Sequence, residues 1–233
     1  MTVAPPRLRP AAAWCLALLS GCATAASTPP ARTTAEPAAA PAPAVAPAPA
    51  SAQPAAAAAA AHHHHVEGAG PITIPAGALF TAADVQFMQG MIAHHGQAIH
   101  MSRLAATRGA SPRLLRLAQK IDQSQAGEIV LMQEWLRANG QFAPDTSAWR
   151  GMSMPGMLTA AELAGLAAAR GPAFDRQFLT LMIRHHEGAL RMVADLVASP
   201  RAAQDVDVSV LANDVETTQT AEIGVMRQML HEL

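Results

Sequence analysis

The sequence has no tyrosine, and only three tryptophans and five phenylalanines in 233 residues. Proteins that bind single-stranded nucleic acids stack bases on aromatic side chains, and such platforms are scarce here. Lysine and arginine together number 16 against 17 acidic residues, which gives a formal net charge of -1. A chain this close to neutral lacks the basic face that neutralises phosphates. The composition therefore predicts no nucleic-acid partner.

Cysteine is nearly absent as well. Cys15 and Cys22 are the two in the chain, and both lie within the first 22 residues. Beyond them the sequence offers no disulfide, no cysteine nucleophile and no thiolate ligand. The hydrolase signature Gly-x-Ser-x-Gly, a phosphate-binding glycine loop and the zinc motif His-Glu-x-x-His are missing too. Any bound metal would have to be held by histidine, methionine and carboxylate side chains.

Residues 1–22 are typical of an export signal. Two arginines precede an apolar run at residues 11–19, which is too short to span a bilayer. The run ends in Leu19-Ser-Gly-Cys22, which resembles the lipobox of bacterial lipoproteins. The resemblance implies a lipid anchor on Cys22 and an exported protein, either in the periplasm or on the outer membrane or cell surface. Simple cleavage after Ala23-Thr24-Ala25 is the alternative.

The segment at residues 23–75 is predicted to be a disordered linker. Most of it is alanine and proline, a composition that cannot bury a core and that favours extended spacing. Four consecutive histidines, His62 to His65, stand within it. They are either a purification tag or a flexible tract that collects metal.

The rest of the chain, residues 76–233, contains one unit twice, at about 80–139 and 173–233. Repeats of this size indicate a duplicated structural element. The first part of the unit recurs 91 positions later, and a second part, beginning at Gln125, recurs 94 positions later. The matched residues are Asp84, Phe87, Met91, Ile92, His94, His95, Ala98 and Met101 with Asp175, Phe178, Met182, Ile183, His185, His186, Ala189 and Met192, and Gln125, Glu128, Ile129 and Met132 with Gln219, Glu222, Ile223 and Met226.

The apolar spacing predicts four long helices and one short one. Capping boxes at Thr81–Asp84 and Thr159–Glu162 each open a helix, and Ser111-Pro112 starts another. No stretch alternates as a strand does. We expect an all-α, ferritin-like four-helix bundle made of two duplicated hairpins. The expected helices run from Thr81 to about Thr107, from Pro112 to Asn139, over 173–198 and from near 205 to the C-terminus, with the short one opened at Thr159 and closed by Gly171-Pro172.

Two carboxylates fall on the stripes that should face the core. The second helix presents Ile121, Gln125, Glu128, Met132 and Trp135 on one face, and the fourth repeats this as Val215, Gln219, Glu222, Met226 and Met229. A buried carboxylate is costly unless it is paired or binds a cation. Adjacent histidines such as His94 and His95 point about 100° apart on a helix and flank the core-facing sector.

Two interpretations of this pattern remain open. A buried His–Glu hydrogen bond satisfies both groups without metal, and methionine is a common core residue. The duplication of the whole polar set, and the methionines that accompany the histidines, favour a metal site instead. Imidazole and thioether without thiolate suit Cu(I), and imidazole also accepts Cu(II). The candidate ligands are His94, His95, His185, His186, Met91, Met101, Met182, Met192, Glu128, Glu222, Met132, Met226, Met154 and Met157.

The motifs resemble one known family. The runs Phe87-Met-Gln-Gly-Met91-Ile-Ala-His94-His95-Gly-Gln-Ala98-Ile-His-Met101, Met154-Pro-Gly-Met157 and Met182-Ile-Arg-His185-His186 are similar to those of the "domain of unknown function 305" family. The likeness covers residues 80–233. It implies a ferritin-like bundle, export, and copper binding with a role in copper tolerance. His100 departs from the family, which more often has an acidic residue there, and the departure adds an imidazole beside the first histidine pair.

Three functions follow from these observations, and we expect the first: an exported protein that binds copper and sequesters, carries or detoxifies it without catalysis. The second is a metal-free helical interaction module at the cell surface. The third is a ferritin-like di-metal oxidase, whose site needs about four carboxylates with Glu-x-x-His motifs. Neither Glu128 nor Glu222 is followed by such a histidine.

Overall fold

The computed structural model describes residues 71–233, and this part of the chain is entirely helical. The predicted signal (1–22), the Cys22 anchor, His62 to His65 and all but the last five residues of the predicted linker lie outside the described residues. The five helices are α1 (Ala82–Leu104), which continues as a 3-10 turn (Ala105–Thr107), α2 (Pro112–Ala138), α3 (Ala160–Ala168), α4 (Gly171–Ala198) and α5 (Val206–His231). The all-α prediction is confirmed.

The helix starts follow the capping signals of the sequence. The Thr81 hydroxyl accepts a hydrogen bond from the backbone N–H of Asp84, whose carboxylate accepts one from the Thr81 N–H at 2.7 Å. Thr159 and Glu162 repeat this box at the start of α3. One predicted boundary is wrong. Gly171-Pro172 does not close α3, which ends at Ala168, but opens α4, because proline fits the first helical turn where no N–H bond is lost.

The long helices form two hairpins that meet through α1 and α4. Helix α1 packs along α2, α4 packs along α5, and α1 contacts α4. Asp84 at the start of α1 accepts a hydrogen bond at 2.7 Å from the Ala203 N–H, in the turn between α4 and α5. Asp175 at the start of α4 accepts one from the Ser111 N–H, between α1 and α2. The start of each helix therefore lies beside the end of the other, so α1 and α4 run antiparallel with an approximate twofold relation.

The core divides into two apolar clusters, one on each side of the four histidines. One contains Met88, Met91 and Ile92 of α1 with Met192 and Leu196 of α4. The other contains Met101 and Ala105 of α1 with Phe174, Phe178 and Met182 of α4. Each cluster thus joins the first half of one helix to the second half of the other, as the twofold relation requires.

Two further observations concern the N-terminal end of the described region and the apolar character of its helices. Ile72 and Ile74, in the last residues of the segment predicted to be a linker, pack half-buried against the first cluster. Across residues 71–233, no helix combines the length and the apolar character that crossing a membrane demands.

Candidate metal centre

Four fully buried histidines form the centre of the bundle. Helix α1 supplies His94 and His95, and α4 supplies His185 and His186, each with no exposed surface. Because neighbouring helical residues point about 100° apart, the two members of each pair face different partners. His94 and His185 face each other across the α1–α4 contact, with ring centroids 3.8 Å apart and planes tilted by 39°. The other two histidines face the second helix of their own hairpins.

Those two histidines each contact a glutamate. The Nε2 atom of His95 lies 2.6 Å from a carboxylate oxygen of Glu128 on α2, and that of His186 lies 2.9 Å from Glu222 on α5. Glu222 is 2% exposed, whereas the Glu128 side chain is 15% exposed. A carboxylate oxygen accepts here, so the imidazole Nε2–H is the donor in both contacts. The structure therefore places the predicted His–Glu pairs inside both hairpins.

His185 differs from the other three histidines. Among the described residues neither of its ring nitrogens has a hydrogen-bond partner. Its pKa lies well below the ordinary value of 6.5 because burial disfavours the imidazolium, with smaller contributions from His94, His186, His95 and Arg184. The ring is therefore neutral at pH 7, the form in which imidazole binds a metal. A buried imidazole without partners is costly, and a metal ion would relieve that cost.

The predicted methionines surround this histidine layer. The six on the long helices are all buried and divide equally between the two apolar clusters. Met154, in the connection before α3, is also buried in the first cluster, and Met157 packs half-buried against it. Within 71–233, no three His, Cys, Asp or Glu side chains are close enough to hold a metal ion together. A metal here would need methionine sulfur or an imidazole pair. The first cluster holds Met91, Met132 and Met192, and the second holds their counterparts Met182, Met226 and Met101.

The connection between α2 and α3 lies over the central histidine pair. We call residues 146–158 of it the strap. The Nε2–H of His94 donates to the Pro155 carbonyl at 3.0 Å. The Gln97 amide donates to the Leu158 carbonyl at 3.1 Å and accepts from the Leu158 N–H at 2.7 Å. These bonds fix the strap to α1 and assign the Nε2–H tautomer to His94, because a carbonyl can only accept.

Two glycines let the strap approach the helices closely. A Cβ on Gly96 of α1 would lie 2.2 Å from the carbonyl oxygen of Thr146, and one on Gly188 of α4 would lie 2.0 Å from that of Pro155. No side chain fits at either position unless the strap backbone moves. The repeat equivalent of Gly96 is Glu187, whereas the strap contacts Gly188. The strap therefore passes α1 and α4 at positions that are not equivalent in the repeat.

Several sequence candidates occupy other surroundings. His100 is exposed on α1 and stacks on Trp149 with ring centroids 5.2 Å apart. Partial burial and the nearby charge of Arg150 lower its pKa. It therefore lies outside the buried histidine group. Gln125 and Gln219 are each 2% exposed, and their amide atoms have no hydrogen-bond partner within the described part of the chain.

Four residues shape this region in roles that the sequence analysis did not assign to them. Asp84 and Asp175 each stabilise the turn of the opposite hairpin, and their recurrence 91 positions apart was the available signal. Gln97 holds the strap by hydrogen bonds, and Gly188 leaves room for its backbone. The two residues occupy equivalent positions in the two repeats. Because the residues differ there, no repeat comparison could have revealed them.

Comparisons with known proteins agree with this architecture. A family model, domain of unknown function (DUF305), matches residues 84–230. A candidate secreted DUF305 protein from Streptomyces coelicolor is 32% identical, covers 64% of this chain and 93% of its own, and has a TM-score of 0.58. A DUF305 fragment from Deinococcus radiodurans is 33% identical, covers 66% and 99%, and has a TM-score of 0.57.

The third similar structure is CopM in its Cu(I)-bound form. It is 29% identical, covers 64% of this chain and 96% of its own, and has a TM-score of 0.52. CopM has also been solved with Cu(II) and with silver bound. No curated protein matches this chain significantly. The family model spans most of this chain, including its helical bundle. The chain therefore belongs to the DUF305 family.

Proposed function

We propose that this protein is an exported copper-binding protein that sequesters or carries copper, or confers copper tolerance, with Cu(I) as the favoured form. The observation that carries the proposal is the buried His94–His185 pair. Its rings face each other at 3.8 Å, and both ring nitrogens of His185 lack a hydrogen-bond partner among the described residues. A similar protein, CopM, binds copper and silver, which supports a soft cation here.

The chemistry of the interior supports the choice of metal. Neutral imidazole and thioether are soft or borderline donors, which select Cu(I), while imidazole alone also accepts Cu(II). Among the described residues, one carboxylate contacts a buried histidine in each hairpin: Glu128 in the first and Glu222 in the second. Di-iron oxidase sites take about four carboxylates. We therefore propose binding and transport without catalysis.

Export is the second part of the proposal. The export signal predicted at residues 1–22, and the similarity to a candidate secreted protein, support a location outside the cytoplasm. We propose Cys22 as the lipid-modified residue that tethers the domain to a membrane, with the alanine- and proline-rich segment as the spacer.

Copper titration of the purified full chain tests the proposal. All variants carry alanine at His62 to His65, which removes that tract as a competing site. We expect micromolar or tighter binding of Cu(I), and one bound Cu(I) fewer after His94→Ala with His185→Ala. The matched control is His231→Ala, which removes an exposed histidine at the end of α5. Absence of copper binding, or equal binding by both variants, would refute the proposal.

A metal-free interaction module is the second candidate, and one observation favours it. The Nε2 atoms of His95 and His186 are already paired with Glu128 and Glu222 without a metal. Under that function copper would leave the thermal midpoint unchanged, whereas a ligand that binds only the folded state raises it. The shift in midpoint at a hundredfold excess of copper over the dissociation constant separates the two, since binding predicts about 2.7 kcal/mol of stabilisation.

A further inference from the structure

We propose that each hairpin holds its own soft-metal site, made of one histidine Nδ1 and two methionine sulfurs, in addition to the central His94–His185 pair. The first site combines His95 with Met91 and Met132, and the second combines His186 with its two equivalents, Met182 and Met226. The inference rests on the proposed copper function and gives it a stoichiometry and a ligand set.

The helix register brings the donors of the first site to one level. The contact between His95 and Glu128 fixes α1 against α2 at 2.6 Å. Helices α1 and α2 are antiparallel, so four residues back along α1 and four residues forward along α2 move in the same direction, by about 6 Å at 1.5 Å per residue. Met91 and Met132 therefore face each other one turn from the His–Glu contact. The same steps from His186 and Glu222 lead to the second pair of methionines.

Burial shows that both methionine pairs point into the core. Met91 and Met132 are fully buried in the first apolar cluster, and Met182 and Met226 are fully buried in the second. Each pair is drawn from the two helices of a single hairpin. Thioether sulfur is a weak hydrogen-bond acceptor, so these layers carry little cost when no metal is bound.

The imidazole donor comes from the ring nitrogen that the glutamate does not use. In both hairpins the Nε2 atom contacts a carboxylate, while Nδ1 of His95 and of His186 is buried without a hydrogen-bond partner in residues 71–233. Helical side chains lean toward the N-terminus, which places the His95 ring over the turn that contains Met91. Metal-binding histidines commonly donate their other N–H to a carboxylate, which sets the tautomer and the ring orientation. Glu128 and Glu222 are thus positioning residues.

Paired substitutions test the two sites independently. Met91→Leu with Met132→Leu removes the sulfurs of the first hairpin, and Met182→Leu with Met226→Leu removes those of the second. Leucine conserves most of the volume of methionine. The matched control is Met88→Leu with Met229→Leu, two buried methionines outside both sites. All are full chains with alanine at His62 to His65, titrated anaerobically with Cu(I) against a competing chelator.

We expect each test variant to bind one Cu(I) fewer than the unmodified chain, and the control to bind the same number. A second measurement needs no substitution that could impair folding. With carbon-13-labelled methionine methyl groups, Cu(I) should shift the NMR signals of Met91, Met132, Met182 and Met226 and leave that of Met229 in place. Unchanged stoichiometry in both test variants, or unmoved methyl signals in a chain that binds copper, would overturn the inference. A chain that binds no copper would instead refute the proposed function.

Glu128→Gln tests the positioning role separately. Glutamine keeps an acceptor for the His95 Nε2–H, so copper affinity should stay within about threefold of the unmodified chain. Glu128→Leu removes the acceptor and should weaken the first site at least tenfold, in line with other outer partners of metal ligands. Equal losses in both variants would show that the carboxylate itself binds the metal.

Discussion

Replacing Gly188 with alanine should destabilise the protein, although alanine ordinarily stabilises a helix. The new Cβ would lie 2.0 Å from the Pro155 carbonyl oxygen, 2.4 Å from its carbon and 2.7 Å from the Cα of Gly156. All three are strap backbone atoms, so no side-chain rotation relieves the clash. The strap must move away from α4.

Three hydrogen bonds set the magnitude of the loss. They are the His94 bond to Pro155 and the two bonds between Gln97 and Leu158. At about 1 kcal/mol net for each bond, breaking them costs about 3 kcal/mol. The higher helix propensity of alanine returns about 1 kcal/mol. The free energy of unfolding should therefore fall by about 2 kcal/mol.

Urea unfolding followed by circular dichroism measures this change. Gly127→Ala and Gly224→Ala are matched controls, because each glycine lies within a helix and nothing lies within 4 Å of the added Cβ. The controls should stabilise the protein by up to about 1 kcal/mol. If Gly188→Ala behaves like the controls, the strap does not sit on α4 as described.

Three further predictions concern stability and attachment. Asp84→Ala should lower the free energy of unfolding in urea by about 3 kcal/mol, and Asp175→Ala should lower it by about 2 kcal/mol. The loss is larger for Asp84 because its carboxylate accepts hydrogen bonds from the Thr81 N–H, the Thr81 hydroxyl and the Ala203 N–H, whereas that of Asp175 accepts from the Ser111 N–H. Variants as stable as the unmodified chain would contradict this. Below pH 6.5 His185 takes up a proton in the unfolded chain but stays neutral in the folded one, because burial lowers its pKa there. Stability should therefore fall by about 1.4 kcal/mol per pH unit for this group, and His185→Leu should reduce that slope. Cys22→Ser should move the protein from the membrane to the soluble fraction of expressing cells, and an unchanged membrane fraction would exclude the lipid anchor.

The sequence predicted the bundle and much of the buried polar set, because both leave a periodic signal. The steps of four and three that place Glu128 and Glu222 on the core stripes are visible in the letters alone. So is the recurrence of the histidine pairs. Helix starts were predictable where a capping residue marked them, as at Thr81. Gly171-Pro172 misled the boundary prediction because the same dipeptide can end one helix or begin the next.

The direction in which each histidine points could not be read from the sequence. His94 and His95 flank the core-facing sector symmetrically, and only the contact with α4 decides that His94 meets His185. The strap escaped prediction for a related reason. Its position depends on how closely its backbone approaches Gly188, and a glycine within a helix gives no sign of what lies beside it.

The exchange of carboxylates between the hairpins bears on how the chain reaches its final form. Asp84 completes the turn of the second hairpin, and Asp175 completes the turn of the first. Neither hairpin can finish its own corner before the other has docked. Assembly of the two halves is therefore expected to be a single cooperative event, in which His94 and His185 meet only when the hairpins dock.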